Sequence, residues 1–359
     1  MFGPRRFLLL AVVVLGGAER QAVAWQSSPA PSAKERVLVA QSPYKGYPNC
    51  LKITNGQVEL IATTDIGPRI LSYRLLPDGP NVLKEFDDQL GGKSGEPGWV
   101  GRGGHRLWAG PEDLTRTYAP DNGKIRWAEI EDGVVLTQPN DEFGIEKRIS
   151  IQMARKGPVV TVTHELSNLG NEPAELAPWA LTVMKGGGVE VLPLPAKAAH
   201  PGSPAGARSP ADFAPSASLV LWPYFSFTDD RWQFGERFIT LTQKDRGPTK
   251  IGLAHTPGWA AYLNEKQIFV KFMSYQSQKL YPDRGVNYET FSNSNMVEME
   301  SLGPLVVLAP GGDSTEHVER WTLLPYAGGQ AGSADELGAA VQAAIAGKGN
   351  DGNEPHPGQ

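Results

Sequence analysis

From Gly103 to Glu112 the sequence reads Gly-Gly-His-Arg-Leu-Trp-Ala-Gly-Pro-Glu. Glycines on both sides of the functional side chains let the backbone turn sharply and bring those groups to one place. His105, Arg106, Trp108 and Glu112 form the mixture that a sugar ligand requires. An indole covers the apolar C–H face of a pyranose, while imidazole, guanidinium and carboxylate satisfy hydroxyls that would otherwise lose hydrogen bonds on burial. A structural turn, with Trp108 plugging the core and Arg106 paired to a carboxylate, fits the same residues.

A second constellation is Met296-Val297-Glu298-Met299-Glu300. In a strand Glu298 and Glu300 share one face and Val297 and Met299 the other, so two carboxylates project together, roughly 6 to 7 Å apart. That spacing can raise one pKa toward general acid or base work, although an exposed polar face shows the same alternation. The stretch Tyr281 to Glu289 carries Asp283, Asn287 and Glu289 in a turn rich in hydrogen-bonding groups, either a wall of the same cleft or a plain connection. Arg69, after Asp65-Ile66-Gly67-Pro68, and Lys271, between Val270 and Phe272, are cations in otherwise apolar strands, and each needs a partner or a cleft.

Other chemistries lack support. The six histidines, at 105, 164, 200, 255, 317 and 356, form no HxH or HExxH pairing, so no metal site is expected. His164 runs in phase with Val160, Val162 and Leu166 and reads as a buried, hydrogen-bonded histidine. No phosphate-cradling loop, nucleotide fingerprint or GxSxG elbow occurs, so no cofactor is expected. Cys50, the single cysteine, cannot form an intrachain disulfide, and beside Leu51 it reads as buried filler. A formal charge of -5 offers no basic footprint for nucleic acid.

The elements that must position these groups are strands. Of 359 residues, 41 are Gly and 30 Pro, which disfavours long helices, and 40% hydrophobic with 20% charged residues suits a folded, water-facing body. Period-two alternation marks 58–62 and 145–153, and short apolar runs at 159–166, 219–222, 238–242, 267–273, 296–300, 305–308 and 318–323 add strand candidates separated by turns. Without crossover helices these form antiparallel sheets in one domain over 36–326. Residues 193–218 read as a long loop, either slack or a lid. The tail 327–359 holds a candidate Ala-rich helix at 335–346.

At the N-terminus Arg5 and Arg6 precede an apolar run, Phe7 to Leu15, which leads to Ala22-Val23-Ala24. This is the pattern of a signal peptide, residues 1–24, cleaved after Ala24, with a Ser/Pro/Ala-rich spacer at 25–35. The run is too short for a membrane anchor, so a secreted or periplasmic protein with no stable membrane span after cleavage is expected. Cleavage removes three Arg and one Glu and takes the formal charge from -5 to -7.

Taken in order, the stretches Leu51-Lys52-Ile53-Thr54-Asn55-Gly56, Asp65 to Ile70, Gly103 to Trp108, Asn168 with Ala177-Pro178-Trp179-Ala180-Leu181-Thr182, Glu298-Met299-Glu300, Leu308-Ala309-Pro310-Gly311 and Trp321 resemble the galactose mutarotase-like superfamily, which includes aldose 1-epimerases. More closely they look like its uncharacterised branch DUF4380. The resemblance spans roughly residues 44 to 325. It implies a large antiparallel β-supersandwich with a sugar cleft on the concave face of one sheet. It also implies a glutamate base, for which Glu300 fits slightly better than Glu298, and a substrate-binding histidine at His105. Where the family carries its catalytic histidine, in the strand after Asn168, this chain has Trp179-Ala180-Leu181-Thr182.

The expectation is an all-β, exported carbohydrate-binding protein. Glu300, Glu298 and His105 are its candidate catalytic groups. Arg69, Arg106, Trp108, Glu112, Lys271, Asp283, Asn287 and Glu289 are its candidate substrate contacts. An enzyme acting at an anomeric carbon, a non-catalytic binder or scaffold, and a polysaccharide lyase or hydrolase remain three alternatives. The sugar and the oligomeric state are left open.

Overall fold

The computed structural model describes residues 36–91, 96–203, 206–330 and 332–349. The expected signal peptide and spacer, 1–35, and the last ten residues lie outside them. Period-two alternation builds two large antiparallel sheets, with strands numbered along the chain. The first sheet runs β1 (Leu38–Tyr44), β2 (Tyr47–Thr54), β3 (Val58–Thr63), β4 (Arg69–Leu75), β5 (His105–Gly110), β10 (Ala174–Lys185), β19 (Met296–Leu302), β18 (Tyr288–Ser292), β15 (Thr249–Leu253) and β12 (Leu219–Leu221), with β20 (Val306–Leu308) paired to β10. The second runs β13 (Trp232–Phe234), β14 (Phe238–Thr242), β11 (Val189–Pro193), β16 (Trp259–Asn264), β17 (Gln267–Phe272), β21 (Asp313–Pro325), β9 (Val160–Asn168), β8 (Ile145–Met153), β7 (Gly133–Gln138) and β6 (Arg126–Ile130).

The sheets face each other across one core in which Leu107, Met299 and Tyr288 of the first meet Phe269, Trp321 and Leu323 of the second. This is an antiparallel β-sandwich. The central strands β5 and β19 are buried on both faces. Loops 96–104, 111–122 and 222–231 cover the outer face of the first sheet, so alternation there separates two buried environments rather than core from water.

The C-terminal helix, Ala334–Gly349, overlaps the expected 335–346. It lies on the outside of the second sheet, where Leu337 and Val341 pack against Phe238 and Val189. A capping box starts it: Ser333 N–H donates to Glu336 at 2.9 Å and Glu336 N–H to Ser333 Oγ at 3.3 Å. Asp335 then accepts the N–H groups of Glu236, Arg237 and Phe238, which fixes the helix to the start of β14. Among the described residues no helix is long and apolar enough to cross a membrane.

Candidate functional site

The floor of the site is the outer face of the first sheet where β5, β10, β19, β18 and β15 run side by side. Register sets a row across it: Arg106 opposes Leu181, Leu181 opposes Glu300 and Glu300 opposes Glu289. A neighbouring row places Glu298 opposite Phe291 and Phe291 opposite Lys250. Directly opposed side chains, and those two residues away, share a face. Arg106, Trp108, Trp179, Glu298, Glu300 and Lys250 therefore rise from one surface. Trp99 from the loop before β5, Tyr118 from the loop after it and Tyr224 from a third wall them in, leaving a cleft of ≈ 210 Å³.

Three ion pairs organise it. The Arg106 guanidinium donates to Glu298 Oε1 at 3.0 Å and lies 4.3 Å from the Trp108 ring centroid. Lys250 Nζ sits 2.6 Å from Glu289 Oε2 and 2.9 Å from Glu300 Oε2, and Trp179 Nε1 donates to the same Glu300 oxygen at 3.0 Å. Burial raises the proton affinity of Glu289 well above the usual carboxylate range; Lys250 opposes this and Glu300 adds to it. Glu300 is also raised, by burial first, against Lys250 and with Glu298. Two carboxyls that share one ammonium and little solvent do not both ionise readily, so the pair retains a proton. Glu298 is 8% exposed and meets the cleft, whereas Glu300 is 1% exposed and lies deeper. Glu112 accepts the Tyr118 hydroxyl at 2.5 Å.

The structure thus brings Glu298, Glu300, Arg106, Trp108 and Glu112 around one cleft, with Glu289 beneath it. It moves His105 and Lys271 elsewhere. In β5 His105 alternates with Arg106 and Trp108 and so points to the opposite face, into the core between the sheets. There Thr182 Oγ1 lies 2.8 Å from His105 Nδ1, His105 Nε2 lies 2.7 Å from His164 Nε2, and His164 Nδ1 lies 3.0 Å from the His317 carbonyl. A carbonyl only accepts, so His164 Nδ1 carries a hydrogen, its Nε2 accepts from His105, and His105 Nδ1 accepts from Thr182. Both imidazoles are neutral, and burial lowers the proton affinity of each. A ligand in the cleft cannot reach His105.

Lys271, on β17, lies in the same core. Its ammonium is 2.7 Å from Glu319 Oε1 and donates to the Met299 carbonyl at 2.9 Å. Burial pushes the Glu319 carboxyl up, but Lys271 overcomes it and holds the group below the usual range. Ligand atoms of His105, His164 and Glu319 converge within 4.8 Å of one another. The lysine on Glu319 and the hydrogen bond between the imidazoles complete this cluster as a polar network rather than as an open ligand set.

Arg69 shares the outer face but is sealed under the loop, donating to the carbonyls of Gly101 and Gly103 at 2.7 and 2.8 Å and to Asp121 at 2.8 Å. It fixes the turn that begins β5. Gly103 is needed there, because a Cβ would stand 2.1 Å from the Lys84 carbonyl oxygen. Asn287 is buried and accepts the His255 N–H at 2.6 Å, a structural tie. Asp283 lies outside the cleft, in a turn where it and Arg284 both have positive φ, 49° and 69°.

Trp99, Tyr118, Trp179, Tyr224 and Lys250 also build the cleft. Sequence reasoning did not single out Lys250, although a lysine before Ile251 in a strand carries the same signal as Lys271. The three aromatic loop residues, Trp99, Tyr118 and Tyr224, carry no local signal.

The fold and site define a two-sheet antiparallel β-sandwich with an aromatic-walled, carboxylate-floored cleft on the outside of one sheet. No family model matches the chain and no curated protein matches its sequence. Among solved structures, a TPR-domain containing protein from Parabacteroides distasonis is similar at a TM-score of 0.51 and 13% identity, over 76% of this chain and 46% of that one. The chain therefore spans just under half the length of that neighbour. Galactose mutarotase-like proteins from Lactobacillus casei and Clostridium acetobutylicum match at TM-scores of 0.47 and 0.43 and identities of 10% and 11%, covering 77% and 81% of this chain and 100% and 99% of theirs.

Proposed function

We propose that the protein is an exported carbohydrate-binding protein of the mutarotase-like superfamily, nearest its DUF4380 branch, and that its cleft holds one pyranose ring with the paired glutamates acting at the anomeric carbon. One observation carries this reading: five aromatic side chains, Trp99, Trp108, Tyr118, Trp179 and Tyr224, surround Glu298 and Glu300, and each of these carboxylates has its own cation. The rings offer flat faces to C–H groups, and the ion pairs offer both acceptors and donors to hydroxyls. A volume of ≈ 210 Å³ is below the roughly 300 Å³ at which pockets for drug-sized ligands begin, so the space suits a single ring.

Exchange at an anomeric carbon needs a base for the anomeric hydroxyl and an acid for the ring oxygen. Glu298, paired with Arg106 at the cleft surface, is placed to accept the hydroxyl proton. Glu300, with its raised proton affinity, is the proton donor. As the C1–O5 bond breaks, the O1–H electrons form the carbonyl and the ring oxygen takes the proton; reclosure on the other face reverses each transfer. His105 has no part.

Glycan-array binding of the mature protein, followed by NMR of each hit for anomeric exchange or chain cleavage, tests the reading. Glu300→Gln keeps the shape while removing the titrating proton, and exchange should fall about a hundredfold or more with much less change in affinity. Equal rates in the two proteins on a sugar that both bind refute catalysis. A binder without turnover is the second reading, favoured because Trp179 and Lys250 already occupy Glu300 Oε2; a wild type that binds and turns nothing over establishes it. Export is tested by mass spectrometry of the secreted chain, which should begin at Trp25.

A further inference from the structure

Beside the cleft lies a wider recess of ≈ 520 Å³, lined by residues 219–223 together with Asp283 and Arg284. The two spaces share a wall. Lys250 Nζ lies 5.0 Å from the Trp179 ring centroid, in the cleft, and 4.8 Å from that of Trp222, in the recess. Tyr224, two residues beyond Trp222, lines the cleft. Asp283, at the far wall, is close enough for its charge to raise the proton affinity of Glu289, the other partner of Lys250.

The sheet is shaped to seat the indole of Trp222. Gly252 opposes Glu289 on β18, and Glu289 opposes Glu300 on β19, so Gly252 extends the row that forms the cleft floor toward Val220 on β12. A Cβ at Gly252 would stand 3.1 Å from Trp222 Cζ3. With no side chain there, the ring lies down against β15. An aromatic platform thus continues outward from the cleft, one strand beyond its last carboxylate.

The charges select the ligand. The cleft cations Arg106 and Lys250 are both committed to carboxylates, at 3.0 Å to Glu298 and at 2.6 and 2.9 Å to Glu289 and Glu300. The recess has one charge of each sign, Asp283 and Arg284. An acidic glycan would bring its carboxylates or sulfates against Glu112, Glu298 and Glu300 without a cation reserved for them. Unlike the cleft, a space of ≈ 520 Å³ falls within the range of roughly 300 to 1,000 Å³ that holds a ligand larger than one ring.

We infer that the ligand is a neutral oligosaccharide rather than a free monosaccharide, with one ring in the cleft and the following units crossing Trp222 into the recess. This rests on the sugar reading of the cleft and adds the direction in which the chain leaves it.

The test is calorimetric titration with gluco-, manno-, galacto- and xylo-oligosaccharides of one to five units, alongside oligogalacturonides of the same lengths. At least one neutral series should gain tenfold or more in affinity from one unit to three. Trp222→Ala should cut the ratio of trisaccharide to monosaccharide affinity at least fivefold, and Trp222→Phe should keep most of it. Should Trp222→Ala fail to fold, Leu221→Asp, which places a carboxylate at an already exposed recess position, should cut the same ratio. Monosaccharide binding with no gain from length in any series overturns the inference while leaving the cleft reading intact. So does a gain that survives Trp222→Ala or Leu221→Asp, or tighter binding of the oligogalacturonides. Binding of no member at all overturns the cleft reading and the inference with it.

Discussion

Lys250→Met keeps the aliphatic stem but removes the ammonium that Glu289 and Glu300 share and that lies near the Trp179 and Trp222 rings. Deleting one partner of a buried ion pair typically costs about 3 to 5 kcal/mol, because a charge is left in a low-dielectric site. Here a ceiling can be worked out. With the Glu289–Glu300 pair already retaining one proton, the charge left exposed to this penalty is that of the pair's other carboxyl, which escapes it by taking up a second proton. At pH 7 that uptake works against an ordinary carboxyl value of 4.5, a gap of about 2.5 units at about 1.4 kcal/mol each, or about 3.5 kcal/mol.

The sign follows from linkage. The variant's folded state holds a second proton on the Glu289–Glu300 pair that the unfolded chain releases above pH 4.5, so the penalty grows as pH rises and fades as it falls. Urea unfolding at pH 7 and pH 5, on wild type and variant, should show a loss of about 3 kcal/mol at pH 7 and less than about 1 kcal/mol at pH 5. A loss of the same size at both pH values would refute the reasoning. It would mean that Lys250 acts through packing against the two indoles, and that Glu289 and Glu300 do not compete for its charge.

Other expectations are as specific. Gly338→Ala, which improves helix propensity by about 1 kcal/mol in an isolated helix, should instead destabilise by about 1 to 3 kcal/mol in thermal or urea unfolding, because the new Cβ would stand 2.1 Å from Phe238 Cγ. Glu190, buried against the Tyr288 and Thr290 hydroxyls, is pushed up to about 8, chiefly by burial. Its ionised form disfavours folding as pH rises from 4.5 through 8, so Glu190→Gln should gain stability over wild type at pH 8.5 and little at pH 4.5. Burial lowers His105 and His164, and takes His255 to about 4 and His317 to about 3. Each costs stability as pH falls below 6.5, while Glu190 returns stability between about 8 and 4.5 and the raised Glu289 and Glu300 also return it as pH falls toward 4.5. The melting temperature should therefore be nearly flat from pH 6.5 to 4.5 and fall steeply below, which a pH series of thermal melts checks.

Much of the frame was legible. The alternation through Ile145–Met153 and the run at Phe238–Thr242 coincide with β8 and β14, because one face of each meets the core and the pattern reads that face directly. In β5 and β19 the same rule could say which residues share a face but not which face lies inward, since loops bury the outer one as well. Arg106 with Trp108, and Glu298 with Glu300, stay together whichever way the strand is turned, and they do meet in the cleft. His105, an odd-position neighbour of Arg106, could not be in that company. Lys250 and Lys271 are indistinguishable as cations inside apolar strands; only the stacking of the sheets decides that one faces the cleft and the other the core. Trp99 and Tyr118 reach the site on loops either side of β5 that Arg69 holds, one at the Gly101 carbonyl and the other at Asp121, a long-range tie with no local sequence mark.

The two faces of β19 explain each other. On the outer face Glu298 and Glu300 take Arg106 and Lys250. On the inner face the alternating positions are fastened: the Met299 carbonyl accepts Lys271 at 2.9 Å, and the Ser301 hydroxyl donates to Glu319 Oε1 at 2.5 Å while lying 2.6 Å from His317 Nε2. Glu319 is held in turn by Lys271 and by Trp321 Nε1 at 2.7 Å. The backbone units that carry the carboxylates are thus tied from beneath to β17 and β21 of the opposite sheet. A buried network of this kind adds little net stability over an apolar core, since its desolvation cost offsets its ion pair. What it adds is position, because every member has a directed partner and β19 cannot slide without breaking several at once. Rigid support of that sort is what a pair of carboxylates needs to keep a fixed spacing over a bound ring. On this argument the core histidines and Lys271 serve the cleft by holding its floor still rather than by touching what enters it.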